Sequence, residues 1–535
     1  MDNKKIDAAT ITDQSEVIRL LQLDSKPWYQ KPNLRALYFC LIPAALGVEM
    51  TTGYDGSVLN GLQAVSHWQD YFGHPTGSRL GVLNASYNLG GLITLPLVPW
   101  VNDKFGRKHS ITLGSLILCC GVVVQAASQN YGMFLASRFL LGTGIPFAVS
   151  GAAQLLAELT YPKERAVVTG LFNVSWFVGA ILAAGVTLGT YSVPNDWSWR
   201  IPSMLQAAPS LLQLTFIWWV PESPRWLISK DRDAEAFEIL VKYHGEGDRD
   251  SPFVNAEFVE IQNQLRLESL NSKRKWIELL QTPGNRKRVL IVMCLGIFAQ
   301  WSGNGLISQV HVFFRIHSSK SNLISYYLAK VLQTVGIKDK RTQNIINLSL
   351  SCWSLITAAG AAFATIVLRR RVQYLTSFVS ITVIFSIITA LSATFAKTGG
   401  NAVATGVIAF IFIFNGFFNI MQPLMYIYAT EIFPFIYRAK GLAILQFFNR
   451  GSTAFNTFVN PIGLDSLKWK YYLFYAVWLV CETMIVYFLY PETKGPSLEE
   501  VAMVFDGERN PEKMANDDRD DIKDIGMNLT VQELK

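Results

Sequence analysis

The sequence predicts an all-α membrane protein of twelve transmembrane helices arranged as two six-helix, pseudo-symmetric bundles. Three observations carry this reading. Half of the 535 residues are apolar and only 16% are charged, with positive mean hydropathy, whereas a soluble chain carries about a quarter charged residues. Apolar runs of spanning length recur twelve times along the chain. The charged residues between those runs repeat, in order and spacing, from the first half to the second.

The runs lie at 36–57, 80–101, 111–128, 131–156, 167–189, 203–220, 288–308, 343–368, 375–396, 402–428, 439–462 and 471–490. A helix needs about 20 apolar residues to cross a bilayer. Lipid offers the backbone no hydrogen-bond partners, so each run must be helical. Basic residues cluster in every second loop: Lys104, Arg107 and Lys108; Lys163 and Arg165; the 225–288 segment; Arg369, Arg370 and Arg371; and Arg438 and Lys440. Lys and Arg are retained on the cytoplasmic side. Both termini are therefore expected in the cytosol and the loops at 58–79 and 189–202 outside, in a multi-pass protein of the plasma membrane. The same distribution accounts for the net charge of +7 without a nucleic-acid partner.

The expected divisions follow. Residues 1–35 form a polar cytosolic tail with no signal-peptide pattern. Residues 36–220 form the first bundle and 221–287 a charged cytosolic linker, with helical pattern in Asp233–His244 and Ala256–Ser272. Residues 288–490 form the second bundle and 491–535 a cytosolic tail, acidic after Gly495. The six cysteines all sit in apolar runs and form neither a C-x-x-C pair nor a Cys/His cluster, so neither disulfides nor metal ligands are expected. No nucleophile elbow, phosphate loop or cofactor fingerprint occurs, which argues against an enzyme. Gly142-Thr143-Gly144 lies within an apolar helix, where small residues permit close packing.

The internal repeat is specific. Asp103-Lys104-Phe105-Gly106-Arg107-Lys108 follows the second run, Glu158 and Arg165 lie seven apart after the fourth, and Pro221-Glu222-Ser223-Pro224-Arg225 follows the sixth. In the second half, Arg369-Arg370-Arg371 follows the eighth run, Glu431 and Arg438 lie seven apart after the tenth, and Pro491-Glu492-Thr493-Lys494-Gly495 follows the twelfth. Two parallel repeats of six helices describe a major-facilitator transporter.

These residues, with Gly53-Tyr54-Asp55-Gly56, Arg138-Phe139-Leu140-Leu141-Gly142 and Gln300-Trp301-Ser302-Gly303, resemble the sugar porter family of the major facilitator superfamily, across roughly residues 36–505. The stretches Gln300–Gly305 and Asn460-Pro461-Ile462 are most similar to fungal lactose permeases and hexose transporters. The resemblance implies sugar:proton symport by alternating access, by a monomeric transport unit. It also implies that Asp103, Arg107, Glu158, Arg165 and Glu222, mirrored by Arg370, Glu431, Arg438 and Glu492, lock the halves together when the inner side is shut. Positive-inside anchoring is the simpler reading of the same charges. Pro99, Ile366 and Arg369 depart from the family's loop motif, which implies a weaker lock in the second half.

Two groups of residues are candidates for the transport site. Asp55 ends the first run and Arg138 opens the fourth. A carboxylate in lipid is costly and rarely unpaired; from the residues alone Asp55 either pairs in the bundle or faces water at the interface. The resemblance implies an Asp55–Arg138 pair that couples sugar movement to protons. Sugars call for amides, hydroxyls and aromatic faces, which Asn173, Gln300, Asn304, Tyr426 and Asn449 supply; each amide could instead join helices by hydrogen bonding. Ala299, Gly305, Ser354 and Phe418 stand where the family is more polar, leaving a pocket with room for a hexose or a disaccharide. Arg450 has no role assigned by the resemblance. Facilitated sugar diffusion is the alternative reading, and a non-transporting sugar sensor a minor one.

Residues 309–325 interrupt the seventh run. The segment begins after Leu306-Ile307-Ser308, ends on a copy of that tripeptide, Leu323-Ile324-Ser325, and puts His311, Arg315, His317 and Lys320 where the helix should continue. Without it Ser308 joins Tyr326-Tyr327 at the spacing from Gln300 that the family's gate tyrosines show. The expectation is that 309–325 is a retained insertion foreign to the working transporter. Expressed side by side, the chain lacking 309–325 should take up substrate and the full chain poorly or not at all; equal uptake would make the segment a genuine loop.

Overall fold

A computed structural model of the chain describes residues 17–494 and Phe505, apart from 18, 22–23, 25, 64, 76, 273–275, 304–339, 399–400, 434 and 468–469. Asn304, Tyr326, Tyr327 and the 309–325 segment lie outside the described residues. The described secondary structure is helical throughout.

The spans run in chain order as Pro32–Leu62; Gly77–Thr94 with Leu97–Phe105; Arg107–Ala126; Tyr131–Leu159; Arg165–Thr190; Trp197–Leu205 with Ala207–Phe216; Pro283–Trp301; Lys340–Val367; Arg370–Thr398; Asn401–Asn419 with Leu424–Ile432; Phe435–Leu467; and Lys470–Leu489. Eight helices among the described residues are long and apolar enough to cross a membrane. Spans two, six and ten are broken. Pro96 and Pro423 open the second segments of two of them, as expected where proline cannot donate to the preceding turn. The sixth helix begins well before the apolar run that predicted it, because Trp197–Arg200 continue the helix beyond the hydrophobic stretch.

Each half packs around its own apolar core. In the first, Leu34, Leu41 and Ala45 of span one meet Leu155 and Leu159 of span four and Val168 and Phe172 of span five. In the second, Leu295 and Phe298 of span seven meet Phe378, Phe385, Phe414 and Leu479. Close crossing requires glycine at specific points. A Cβ at Gly142 would lie 1.9 Å from the Tyr87 carbonyl oxygen, and one at Gly53 would lie 1.8 Å from that of Trp176. Gly142 thus seats span four against span two, the packing role its sequence context suggested.

The halves touch at the end of the bundle far from the linker. Spans two and eleven pack together there, as do spans five and eight. A Cβ at Gly81 would strike the Phe458 carbonyl oxygen at 2.6 Å, and Asn88 Nδ2 reaches Thr457 Oγ1 at 3.5 Å.

The linker supplies the helices the periodicity predicted, Asp233–Tyr243 and Pro252–Ser272. They dock on the first half through buried polar contacts. His244 Nδ1 lies 2.7 Å from Glu257 Oε2, and its Nε2 lies 3.3 Å from the Leu159 carbonyl at the end of span four. Glu246 accepts the backbone N–H groups of Asn33 and Leu34 at 3.0 and 2.9 Å, capping the positive end of span one. Burial alone would favour the neutral His244 ring, but the Glu257 carboxylate outweighs it and raises His244 above its ordinary value. The stabilisation by the charged pair is then complete below the unfolded value of about 6.5 and fades as pH rises through the higher folded value. Breaking a buried pair by removing one partner costs about 3–5 kcal/mol. Glu257→Gln should therefore lower the thermal midpoint of the purified protein, most at acid pH and progressively less toward alkaline pH; a deficit that grows with pH would contradict this.

Candidate functional site

The linker-side ends of the spans carry the repeated charges, and the structure shows why they repeat. Gly106, with φ of +93°, turns span two into span three. The turn presents the Arg107 guanidinium to Glu158 at the end of span four, Nε to Oε2 at 3.1 Å and Nη2 to Oε1 at 3.3 Å. Glu222 accepts the backbone N–H groups that open span three, Arg107 at 3.1 Å and Lys108 at 3.1 Å. Ser223 donates its hydroxyl to Glu158. Burial lifts Glu222 above the usual carboxylate range, against the pull of these backbone donors.

The second half reproduces the arrangement. Arg370 Nε and Nη2 donate to Glu431 Oε1 at 3.2 and 3.0 Å. Glu492 accepts the backbone N–H groups of Arg370 and Arg371 at 2.9 and 3.2 Å. Thr493 Oγ1 donates to Glu431 at 2.5 Å. The first half adds one contact to this set, between Arg107 and the exposed Asp103 at 3.9 Å.

The cross-half lock is an expectation for the state with the inner side shut, and the contacts described here are of another kind. The arginine–glutamate pairs join spans within one half, and among the described residues no ion pair bridges the halves. The reason is geometric: in each half the arginine follows span two of the repeat, and the glutamate it meets ends span four of that same repeat. Arg165 opens span five, and its Nε has no hydrogen-bond partner among the described residues. The Arg438 side chain lies outside the described residues.

Deeper in the first half, Asp55 is fully buried and Arg138 nearly so. The guanidinium donates through Nη1 and Nη2 to the Asp55 backbone carbonyl, both at 3.3 Å. The Asp55 carboxylate oxygens accept no hydrogen bond among the described residues; Gln206, whose Nε2 is equally unpartnered, faces them from the break in span six. The two residues thus come together as expected, but through the backbone carbonyl. The interfacial reading of Asp55 is not what the structure holds. Arg138 also stacks 4.8 Å from the centre of the Tyr87 ring.

Within the second half, Gln300 Nε2 donates to Asn449 Oδ1 at 2.9 Å, and Asn456 donates to the Gln300 carbonyl at 2.7 Å. Tyr426 accepts from Gln446 at 2.9 Å. Gln300, Asn449 and Tyr426 therefore lie on spans seven, eleven and ten of the second half. Asn173 is on span five, and its side chain lies outside the described residues.

The sequence matches the family described as Sugar (and other) transporter over residues 39–505. The chain belongs to that family. A high-affinity glucose transporter of Kluyveromyces lactis is 26% identical over 509 residues, covering 91% of this chain and 88% of that protein. An arabinose-proton symporter of Bacillus subtilis is 25% identical, covering 87% and 94%. The inward-open structure of the xylose transporter XylE from E. coli matches with a TM-score of 0.70 at 20% identity, over 88% of this chain and all of that one, and so shares its fold. This sugar-transporter family member is thus a multi-pass membrane protein with the twelve-helix architecture its repeat predicted.

Sequence reasoning named Ser354 but missed the polar residues beside it and two buried or half-buried glutamates. Ser354, Asn415 and Asn419 form a cluster between spans eight and ten, with Ser354 Oγ 2.8 Å and Asn419 Nδ2 3.0 Å from Asn415 Oδ1. Glu482, fully buried, accepts from Ser302 at 2.7 Å and from the Trp478 indole at 2.6 Å. Glu49, mid-way along span one, escaped as well. Acidic residues inside apolar runs were the signal available for both glutamates.

An amide left without its partner in a desolvated site costs about 1–3 kcal/mol. Gln300→Ala and Asn449→Ala should each raise the apparent KM for uptake by about 5- to 150-fold, and the double variant by less than the product because the pair shares one hydrogen bond. Unchanged kinetics in both folded variants would remove this pair from the site.

Proposed function

We propose that the protein is a sugar:proton symporter of the plasma membrane, with both termini cytosolic, working by alternating access. The carrying observation is the Asp55–Arg138 pair: a carboxylate and a guanidinium buried together in the first half, the carboxylate faced by the Gln206 amide and accepting no hydrogen bond among the described residues. An intramembrane carboxylate of this kind is a proton-relay candidate by default. The names of two similar proteins support the coupling, the arabinose-proton symporter of Bacillus subtilis and the proton:xylose symporter XylE. In the proposed orientation the far-end contacts between the halves close the outer side, so the described state faces inward. Gln300 and Asn449, with Asn173, Asn304, Tyr326, Tyr327 and Tyr426, are the groups we assign to the sugar.

In this reading the linker-side quartets keep each half rigid while the halves rock. Asp55 takes a proton from outside and releases it inside, and sugar binding between the halves permits the exchange of states only with the proton aboard. Arg138 supplies the positive field that makes release possible. Facilitated diffusion would need no such buried carboxylate.

Asp55→Asn carries a permanently neutral side chain in place of the titrating one. It should abolish concentrative uptake of labelled sugar and sensitivity to a protonophore, while sugar exchange across the membrane survives. Full accumulation by this variant at normal expression would remove Asp55 from proton coupling.

A further inference from the structure

Glu49 and Arg450 form a second charged pair that the mechanism above does not use. Each sits near the middle of its helix, span one and span eleven, and so near the bilayer midplane. Each is half-buried, the exposure of groups that line a cleft. They come from opposite halves and lie within electrostatic reach of one another and of the Tyr426 hydroxyl. Among the described residues, however, they make no hydrogen bond or ion pair, with each other or with any other group. Arg450 follows Asn449, the amide bonded to Gln300. Facing it on span two is Gly91, where a Cβ would stand 3.6 Å from Nη1; the missing side chain leaves that side of the guanidinium uncrowded.

A neutral sugar needs amides and hydroxyl partners, and the cleft already has them. An intramembrane arginine with its donors unspent is costly to keep. Its planar fork of five N–H groups matches a carboxylate in bidentate fashion. Glu49 balances the arginine's charge electrostatically but among the described residues forms no ion pair with it, so it does not occupy the fork.

Resting on the reading of the chain as a sugar transporter, we propose that the cleft takes a carboxylated monosaccharide, a uronic or aldonic acid, whose carboxylate binds the Arg450 guanidinium in place of Glu49 as its counter-ion. Gln300 and Asn449 then read the hydroxyls of the same molecule. Glu49 is a competitor for the arginine, and its charge sets how tightly the acid is held.

The test uses the full chain and the chain lacking 309–325, expressed in a host without sugar uptake. D-glucuronate serves as the probe because it differs from D-glucose only in the carboxylate at C6. Labelled D-glucuronate should enter and should compete with labelled neutral sugars. Arg450→Gln should lower the ratio of glucuronate to D-glucose uptake on the order of 100-fold, with Arg450→Lys intermediate because the charge remains and the fork is lost. Glu49→Gln should lower the KM for glucuronate several-fold. A binding readout guards against folding defects: D-glucuronate should raise the thermal midpoint of the purified wild-type protein and fail to do so for Arg450→Gln. If neutral sugars enter while D-glucuronate neither enters nor competes, the proposal is overturned and sugar transport stands. If Arg450→Gln lowers both uptakes alike, the pair is a lock between the halves and the proposal is again overturned. If no sugar from a panel of neutral hexoses, pentoses and disaccharides enters, and D-glucuronate does not either, both this inference and the symporter reading fall.

Discussion

In each half, one arginine at the linker-side end ties together three spans that would otherwise diverge. Arg107 reaches Glu158 of span four, while its own backbone N–H and that of Lys108 are held by Glu222 beyond span six. Arg370, Glu431 and Glu492 do the same in the second half. These groups lie at helix ends, where four backbone N–H groups lack helical partners and a carboxylate is favoured by the helix dipole. The contacts are within-half, so each bundle is braced as a unit.

The boundary between the bundles is built from helix packing and polar groups. At the far end, spans two and eleven approach closely because Gly81 has no side chain to strike the Phe458 carbonyl. Toward the middle, the surfaces turn polar, with the Gln300–Asn449 hydrogen bond on one side and Glu49 on the other. Two bundles that each keep their own core, meeting at a boundary with polar groups at mid-depth, suit the alternating access proposed above: the boundary can be exchanged for another without repacking either core.

The linker is more than a tether in this arrangement. Its His244 and Glu246 contact the end of span four and the start of span one. It is thereby fastened to the first half through hydrogen bonds at the ends of two spans.

The architecture was legible in the sequence because lipid enforces it. Apolar runs long enough to cross must be helices, and the repeated charges follow from the same bracing motif built twice. The linker helices were legible through 3.6-residue periodicity, and the Asp55–Arg138 proximity through the resemblance to the sugar porter family. What the sequence left open was the partner of each charge. Whether Arg107 pairs within its half or across the seam depends on which helix ends lie side by side. Whether Asp55 is buried depends on the Gln206 break and on how closely spans one, four and six approach. Glu49 and Arg450 are four hundred residues apart in the chain, and nothing local to either one shows the other across the cleft. Helical periodicity places a residue on a face of its own helix, and only the packing of helices decides what that face meets.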